Sequence, residues 1–330
     1  MRGRGWCGWL MSDIAVIGAG AWGTALALQC ARAGNRVRLW ARDPERAAAI
    51  ARTRENPRLP GFPLPEDIIV TARMPAQAEL FVLAVPMQYL RAVAAMLPPG
   101  AALVCAKGLE ADTFALPLEV MAALEPRRPL AVLTGPNFAH EIAAGLPAAS
   151  VVAGFDRALR TEIAARLGTA RFRLYGNDDP VGAQLGGAAK NVIAIAAGAV
   201  IGAGLGENAR AALMTRGLAE IARLTVALGG RAETVAGLSG LGDLLLTSTG
   251  LASRNYSLGY ALGRGERLDA ILAARTTVTE GVTTAPALVA RAAKAGLELP
   301  IAAAVADLLA GRMTLQQAMA SLLSRPRREE

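Results

Sequence analysis

The sequence predicts an α/β fold over residues 11–180, followed by an all-helical domain over residues 181–330. Three observations predict it. Short apolar runs of β-formers alternate with helical stretches through the first part, which argues a parallel sheet with right-handed crossovers. After about residue 180 strand signals nearly vanish and helical runs follow one another. Finally, 330 residues exceed one ordinary core, since a domain takes about 100–200.

The elements follow in order. Residues 13–17 (DIAVI) are an apolar β-forming run, followed by a glycine cluster. TALALQCARAG then has helical character and stops at Gly34. Residues 36–40 (RVRLW) alternate like a strand. DPERAAAIART reads as a helix with Asp43 as its cap and Pro44 at its first position. Further strands are expected at 80–85, 102–106, 130–135, 150–154 and 172–176, with helices between most of them. Helical runs then occupy 181–203, 207–229, 252–262, 281–295, 300–309 and 314–323.

Composition removes several classes. With 53% hydrophobic and 19% charged residues the chain is no disordered tract. Aromatics are 4%, so Ala, Leu, Val and Ile must build the core. A single histidine, His140, argues against His-ligated metals and a His-based triad, so no metal is expected. Cys7, Cys30 and Cys105 are too few and scattered for a disulfide framework or a zinc site, which suits a reducing compartment and a cytoplasmic protein. The net charge is +8, carried by 32 Arg and 3 Lys spread along the chain. No basic stripe interleaves with aromatics, so a nucleic-acid partner is not expected; small anions such as phosphates are. MRGRGWCGWLMSD lacks the apolar core of a signal peptide, and residues 1–10 read as an extension ahead of Met11. The run 191–206 is shorter than the ~20 residues of a membrane span and reads as a buried helix.

Strand 13–17 runs through Gly18-Ala19-Gly20-Ala21-Trp22-Gly23 into a helix. This is GxGxxG in its proper context and defines a Rossmann-type dinucleotide site. Gly18 permits the turn, Gly20 lets backbone approach a pyrophosphate, and Gly23 lets helix and strand pack closely. The helix start offers free N–H groups and a positive dipole end. Arg42 follows the second strand, near the usual position of the ribose-reading residue, and favours NADP, with NAD left open; Asp43 suits a helix cap.

Lysine is scarce here, and only lysine can exchange a proton where arginine cannot. Lys107 lies just after a strand, at the edge where such sheets bind ligands. Lys190 starts a helix whose Ala194, Gly198, Gly202 and Gly206 follow at four-residue steps on one face. Those glycines imply a close backbone neighbour, either as packing alone or as a means of fixing Lys190. Lys294 reads as a solvated residue.

Five segments together resemble the bacterial NAD(P)-dependent glycerol-3-phosphate dehydrogenases, over residues 13–320: IAVIGAGAWGTALA, LTGPNFAHEI, AAKNVIAIAAG, GLSGLGDLLLTSTGLASRNYSLG and TVTEGVTTA. The resemblance implies a 6-phosphogluconate-dehydrogenase-like fold and reversible reduction of dihydroxyacetone phosphate to glycerol 3-phosphate, supplying glycerophospholipid synthesis. It implies that Lys190 is the catalytic proton donor and acceptor. Lys107, Gly135, Asn137, Lys190, Asp243, Ser253, Arg254 and Asn255 would bind the substrate. Gly18, Gly20, Trp22, Gly23, Arg42, Lys107, Ala139, Arg254, Val278 and Glu280 would line the dinucleotide. Position 137 is often Ser or Thr in this family and is Asn here. By its residues alone, the SRN run is equally a cap, Ser253, with polar neighbours. His140, Glu141 and Glu207 are expected to be ordinary helix-terminal charges. A small phosphate substrate and a homodimer are the expected partners.

Two other functions fit the fold. A lysine-dependent dehydrogenase of the β-hydroxyacid type would share the Lys190-Asn191 pair but not the GLGD and SRN runs. A non-catalytic dinucleotide sensor would have no reason to keep Lys107, Lys190 and Arg254 together.

Overall fold

A computed structural model describes residues 13–275 and 278–324. The expected extension at residues 1–10, and Cys7 within it, lie outside the described residues. Eight strands form one sheet: β1 (Asp13–Ile17), β2 (Arg36–Trp40), β3 (Ile68–Thr71), β4 (Leu80–Leu83), β5 (Ala101–Val104), β6 (Leu130–Thr134), β7 (Ala148–Ala153) and β8 (Phe172–Asn177). Helices α1 (Ala21–Arg32), α2 (Pro44–Thr53), α3 (Met87–Ala94), α4 (Pro117–Leu124), α5 (Ala139–Ala144) and α6 (Arg157–Leu167) are interspersed. Nine more follow: α7 (Pro180–Gly202), α8 (Gly206–Ala227), α9 (Ala232–Ala236), α10 (Asp243–Ser248), α11 (Arg254–Gly263), α12 (Leu268–Ala273), α13 (Glu280–Lys294), α14 (Pro300–Leu309) and α15 (Leu315–Leu323). A π-helical turn, Leu238–Gly242, runs directly into α10.

The sheet order is β3-β2-β1-β4-β5-β6-β7-β8. The chain winds outward from β1 to β3 and then returns to β4 on the other side of β1. That reversal opens a crevice beyond the carboxyl ends of β1 and β4, where such sheets bind ligands. The strands are apolar on both faces because helices cover both. Ile14 and Val16 pack on one side with Leu26, Leu39 and Ile50, while Ala15 and Ile17 pack on the other with Phe81, Leu83 and Val104. Asp43 caps α2 as expected, accepting from the N–H groups of Glu45 at 3.0 Å and Arg46 at 3.2 Å. Two features differ from the sequence reading. β3 is an extra strand, and β7 lies antiparallel to β6, so the sheet is mixed.

Helix α7 is the spine of the helical part. It is long and apolar enough to cross a membrane, but 89% of its most apolar stretch is buried inside the protein. Its glycines meet α11 reciprocally. A Cβ on Gly198 or Gly202 would overlap the carbonyls of Tyr256 or Tyr260, and one on Gly259 or Gly263 would overlap those of Ile195 or Ala199. The expected close backbone neighbour is therefore α11. Gly206 is not on this face; it has φ +86° and opens α8.

Candidate active site

The turn after β1 has the shape a pyrophosphate needs. Gly18 has φ +113°, and any side chain there would strike the carbonyl of Ala84, just past the end of neighbouring strand β4. A Cβ on Gly23 would overlap the Gly18 carbonyl, so helix and turn touch directly. Gly20 faces open space, with nothing within 4 Å of its missing side chain. No side chain caps α1, so its first N–H groups are left for an anion. These residues fit a nicotinamide dinucleotide. Trp22 is half-buried beside the turn and packs on the sheet core. Arg42 is exposed, and its guanidinium lies 5.5 Å from the Tyr89 ring centre. Ala139 begins α5 just past the β6 turn.

The two lysines meet at one carboxylate. Lys107, just past β5, donates to Asp243 Oδ2 at 2.5 Å and to the Gly135 carbonyl at 3.1 Å. Lys190, from the middle of α7, donates to Asp243 Oδ1 and to Thr247 Oγ1, the latter at 2.8 Å. Asp243 is 1% exposed, and both its oxygens are taken by the lysines. The π-turn explains its aim: it brings the first residue of α10 to face α7. Gly186 and Gly187 let the neighbours in, since a Cβ on either would crowd the Ser239 backbone or the Thr134 hydroxyl.

Burial pulls the Lys190 ammonium down to about 7, against the pull of Asp243 and with the help of the Lys107 charge. At neutral pH Lys190 therefore exchanges its proton readily. Lys107 keeps 18% of its side chain exposed and points from the other wall of the same cleft.

Around this pair stand the polar residues of the later segments. Asn255 donates to Asn191 Oδ1 at 2.9 Å and accepts the Gly281 N–H at 3.0 Å, which locks α11, α7 and α13 together beside Lys190. Ser253 is the cap of α11, accepting from the Tyr256 N–H at 3.2 Å. Arg254 is exposed at the start of α11 and tethered to the Val278 carbonyl at 2.8 Å. Asn137 donates to Ser150 Oγ at 2.6 Å, and its buried Oδ1 has no partner among the described residues. Glu280 accepts from the Met87 N–H at 3.2 Å, and burial pushes its carboxyl up to about 7, against that bond and the Arg254 charge. His140 lies exposed, stacked on Phe138 and 3.9 Å from Glu141, outside the lysine cluster.

The lysine cluster thus gathers Lys107, Gly135, Lys190 and Asp243. Asn137 lies two residues beyond Gly135, and Asn255 reaches the same place through Asn191. Gly18, Gly20, Trp22, Gly23 and Arg42 cluster separately at the β1–β2 end. The sequence reading missed Thr247, the third partner of Lys190. Its signal was the four-residue step from Asp243, which puts both on one helical face. It also missed Ser150, which orients Asn137.

Comparison with known proteins agrees in order and extent. A family model described as NAD-dependent glycerol-3-phosphate dehydrogenase N-terminus matches residues 13–159, and its C-terminal counterpart matches residues 179–320. The chain is 62% identical over 320 residues to glycerol-3-phosphate dehydrogenase [NAD(P)+] of Acidiphilium cryptum, covering 96% of this chain and 98% of that one. It is 53% identical to the protein of the same name from Gluconobacter oxydans, covering 95% and 97% of the two chains. The crystal structure of glycerol-3-phosphate dehydrogenase from Coxiella burnetii superposes with a TM-score of 0.91 at 38% identity, covering 96% and 99% of the chains.

Proposed function

Since the chain belongs to the NAD-dependent glycerol-3-phosphate dehydrogenase family, we propose a mechanism in which Lys190 moves the proton of the reaction. The protein is an NAD(P)-dependent oxidoreductase that interconverts dihydroxyacetone phosphate and glycerol 3-phosphate. The observation that carries the mechanism is the buried Lys190–Asp243–Lys107 cluster at the join between sheet and helices.

When bound at the glycine turn, a nicotinamide dinucleotide supplies the hydride for the carbonyl carbon, or accepts it in reverse. Negative charge then grows on the substrate oxygen, and a cation placed there stabilises the transition state more than the ground state. Lys190 is that cation and donates its proton to the oxygen; in the oxidation it takes the proton back as a neutral amine. Asp243 holds both lysines in place. Thr247 fixes the direction of the Lys190 amine. Lys107 adds positive charge on the cofactor side. Arg254, Asn255 and Ser253, grouped at the α11 N-terminus, receive the substrate phosphate, and Asn137 with the Gly135 turn holds its hydroxyl end. Ala139, Val278 and Glu280 line the nicotinamide side. The sheet-bearing part up to about residue 180 holds the dinucleotide, and the helices after it hold the substrate. A role in supplying glycerophospholipid synthesis, a cytoplasmic setting and a homodimer belong to the same proposal. The buried free thiols of Cys30 and Cys105 support the setting, and sedimentation velocity tests the dimer.

The two other functions lose ground. The GLGD and SRN runs sit on the elements that surround Lys190, as the glycerol-phosphate reading requires, and a sensor gains nothing from a buried proton-exchanging lysine. Purified protein should oxidise NADPH or NADH when dihydroxyacetone phosphate is added. Lys190→Ala should lower kcat by about 10²–10⁴-fold while nucleotide still binds. Full turnover in that variant refutes the proton-donor role.

A further inference from the structure

The connection that carries Lys107 belongs by sequence to the sheet, yet it is built into the helical part. Between β5 and α4, Leu109 is fully buried and Leu116 is 1% exposed. Both belong to the hydrophobic cluster of the helices, with Val192 and Leu288, and Phe114 packs against the same cluster. Helix α3 of the sheet part grips the other side. Gln88 donates to the Leu109 carbonyl at 2.9 Å and accepts the Ala111 N–H at 3.0 Å. Arg91 donates two bonds of 2.8 Å to the Glu110 carboxylate. The stretch also closes on itself: the Phe114 N–H donates to the Glu110 carbonyl at 2.9 Å, and the Glu110 N–H donates to the Ala115 carbonyl at 3.0 Å. Residues 107–116 thus form a strap between the two parts, with an active-site lysine at one end.

Two contacts fix where the strap lies, and both are on α13. At the near end Gly108 has φ +149°, and a Cβ there would stand 3.0 Å from Thr284 Oγ1, so the backbone next to Lys107 rests on that helix. At the far end the Lys294 ammonium sits over the Phe114 ring, 4.7 Å from its centre. Thr284 and Lys294 stand about 15 Å apart along the helix, so the strap runs lengthwise on α13. Phe114 has φ +62°, in the left-handed region. A bulky side chain is costly there and persists only where its surroundings enforce it. The helical core on one side and the ammonium over the ring are those surroundings. Lys294 is exposed in the last turn of α13, as a solvated lysine would be, but its charge is spent on the ring. We propose that Phe114 and Lys294 are positioning residues for Lys107: their contact holds the strap on α13 and so keeps Lys107 at Asp243.

The role of Lys107 rests on the oxidoreductase reading, while the contact itself can be tested apart from it. Lys294→Met removes the charge and keeps the stem; Phe114→Leu removes the ring and keeps apolar bulk. Each should raise the KM for dihydroxyacetone phosphate about 2–5-fold with kcat nearly unchanged, the equilibrium weight of an exposed cation–π contact. Hydrogen exchange at the Glu110 and Phe114 amides should quicken by about the same factor, while the amides of α7 keep their protection. Lys294→Arg, which keeps a cation over the ring, should behave as wild type. The double variant should be no worse than the worse single one, because both remove the same contact. Effects that add in the double variant, or unchanged exchange in Lys294→Met, overturn the contact. Faster exchange with an unchanged KM overturns its link to Lys107. If wild-type protein lacks turnover with dihydroxyacetone phosphate, the oxidoreductase reading fails, and exchange at Glu110 and Phe114 still decides whether the contact holds the strap.

Discussion

Lys190 must be a cation in one direction of the reaction and a neutral amine in the other. Its downward shift to about 7 places both forms within reach. The sign follows directly. Reduction needs the ammonium, whose fraction falls as pH rises, so kcat for reduction should decline above about pH 7. Oxidation needs the free amine, so kcat for glycerol 3-phosphate oxidation should rise through the same range. A pH profile of both directions checks this, and parallel profiles would remove Lys190 from the proton path. Ser150 gives a subtler case. Its hydroxyl accepts the Asn137 amide at 2.6 Å, so Ser150→Ala should release that amide and raise the KM for dihydroxyacetone phosphate roughly 2–10-fold. Retained thermal stability would separate this from misfolding. At this scale the sequence was informative where chemistry is rare. Three lysines among 35 cationic residues drew attention to Lys107 and Lys190. It was mute where the residue type is common: Thr247 and Ser150 act through Lys190 and Asn137, which are distant in the chain.

The crossing of α7 and α11 is the element on which the site depends. Backbone meets backbone there, with Gly198 and Gly202 against Tyr256 and Tyr260. The same two helices carry Lys190 and the Ser253-Arg254-Asn255 group. Gly198→Ala should force the helices apart and cost about 1–3 kcal/mol, read as a fall in the thermal midpoint. It should also raise the substrate KM, because the two poles of the site move together. An unchanged melting curve would mean the crossing is looser than its geometry. The four-residue glycine spacing announced this contact, though not its partner. Asp43, Pro44 and the GxGxxG run gave their local structures directly, because caps and tight turns are local physics. β3 escaped notice because four residues after a proline-rich stretch carry too short a pattern. The reversed β7 escaped because direction is set by long-range pairing. The π-turn and α10 escaped because GLSGLGD reads as loop until Asp243 is drawn to the lysines.

At the scale of the molecule, sheet and helices are pinned at a few polar points. Gln184 accepts the Leu118 N–H at 2.8 Å, Arg291 pairs with Glu119 at 2.6 Å, and Glu280 accepts from Met87. Glu280 holds its proton unusually well, up to about 7 against an ordinary 4.5. A carboxyl raised by folding adds stability below its unfolded pKa, and that stability is lost as pH rises through the folded one. Wild-type protein should therefore weaken relative to Glu280→Gln between about pH 4.5 and pH 7, and hold a constant gap above. Thermal melts of both proteins across that range test it; a gap that never changes with pH would contradict the burial of Glu280. The shared carboxylate at 243 has a further consequence. Below about pH 7, where Lys190 keeps its proton, one negative charge divided between two ammoniums leaves the cleft cationic in surroundings of low permittivity. Any small oxyanion should lodge there, so phosphate or sulfate buffers should compete with substrate and slow turnover. The choice of buffer salt thus becomes a variable of the enzyme itself.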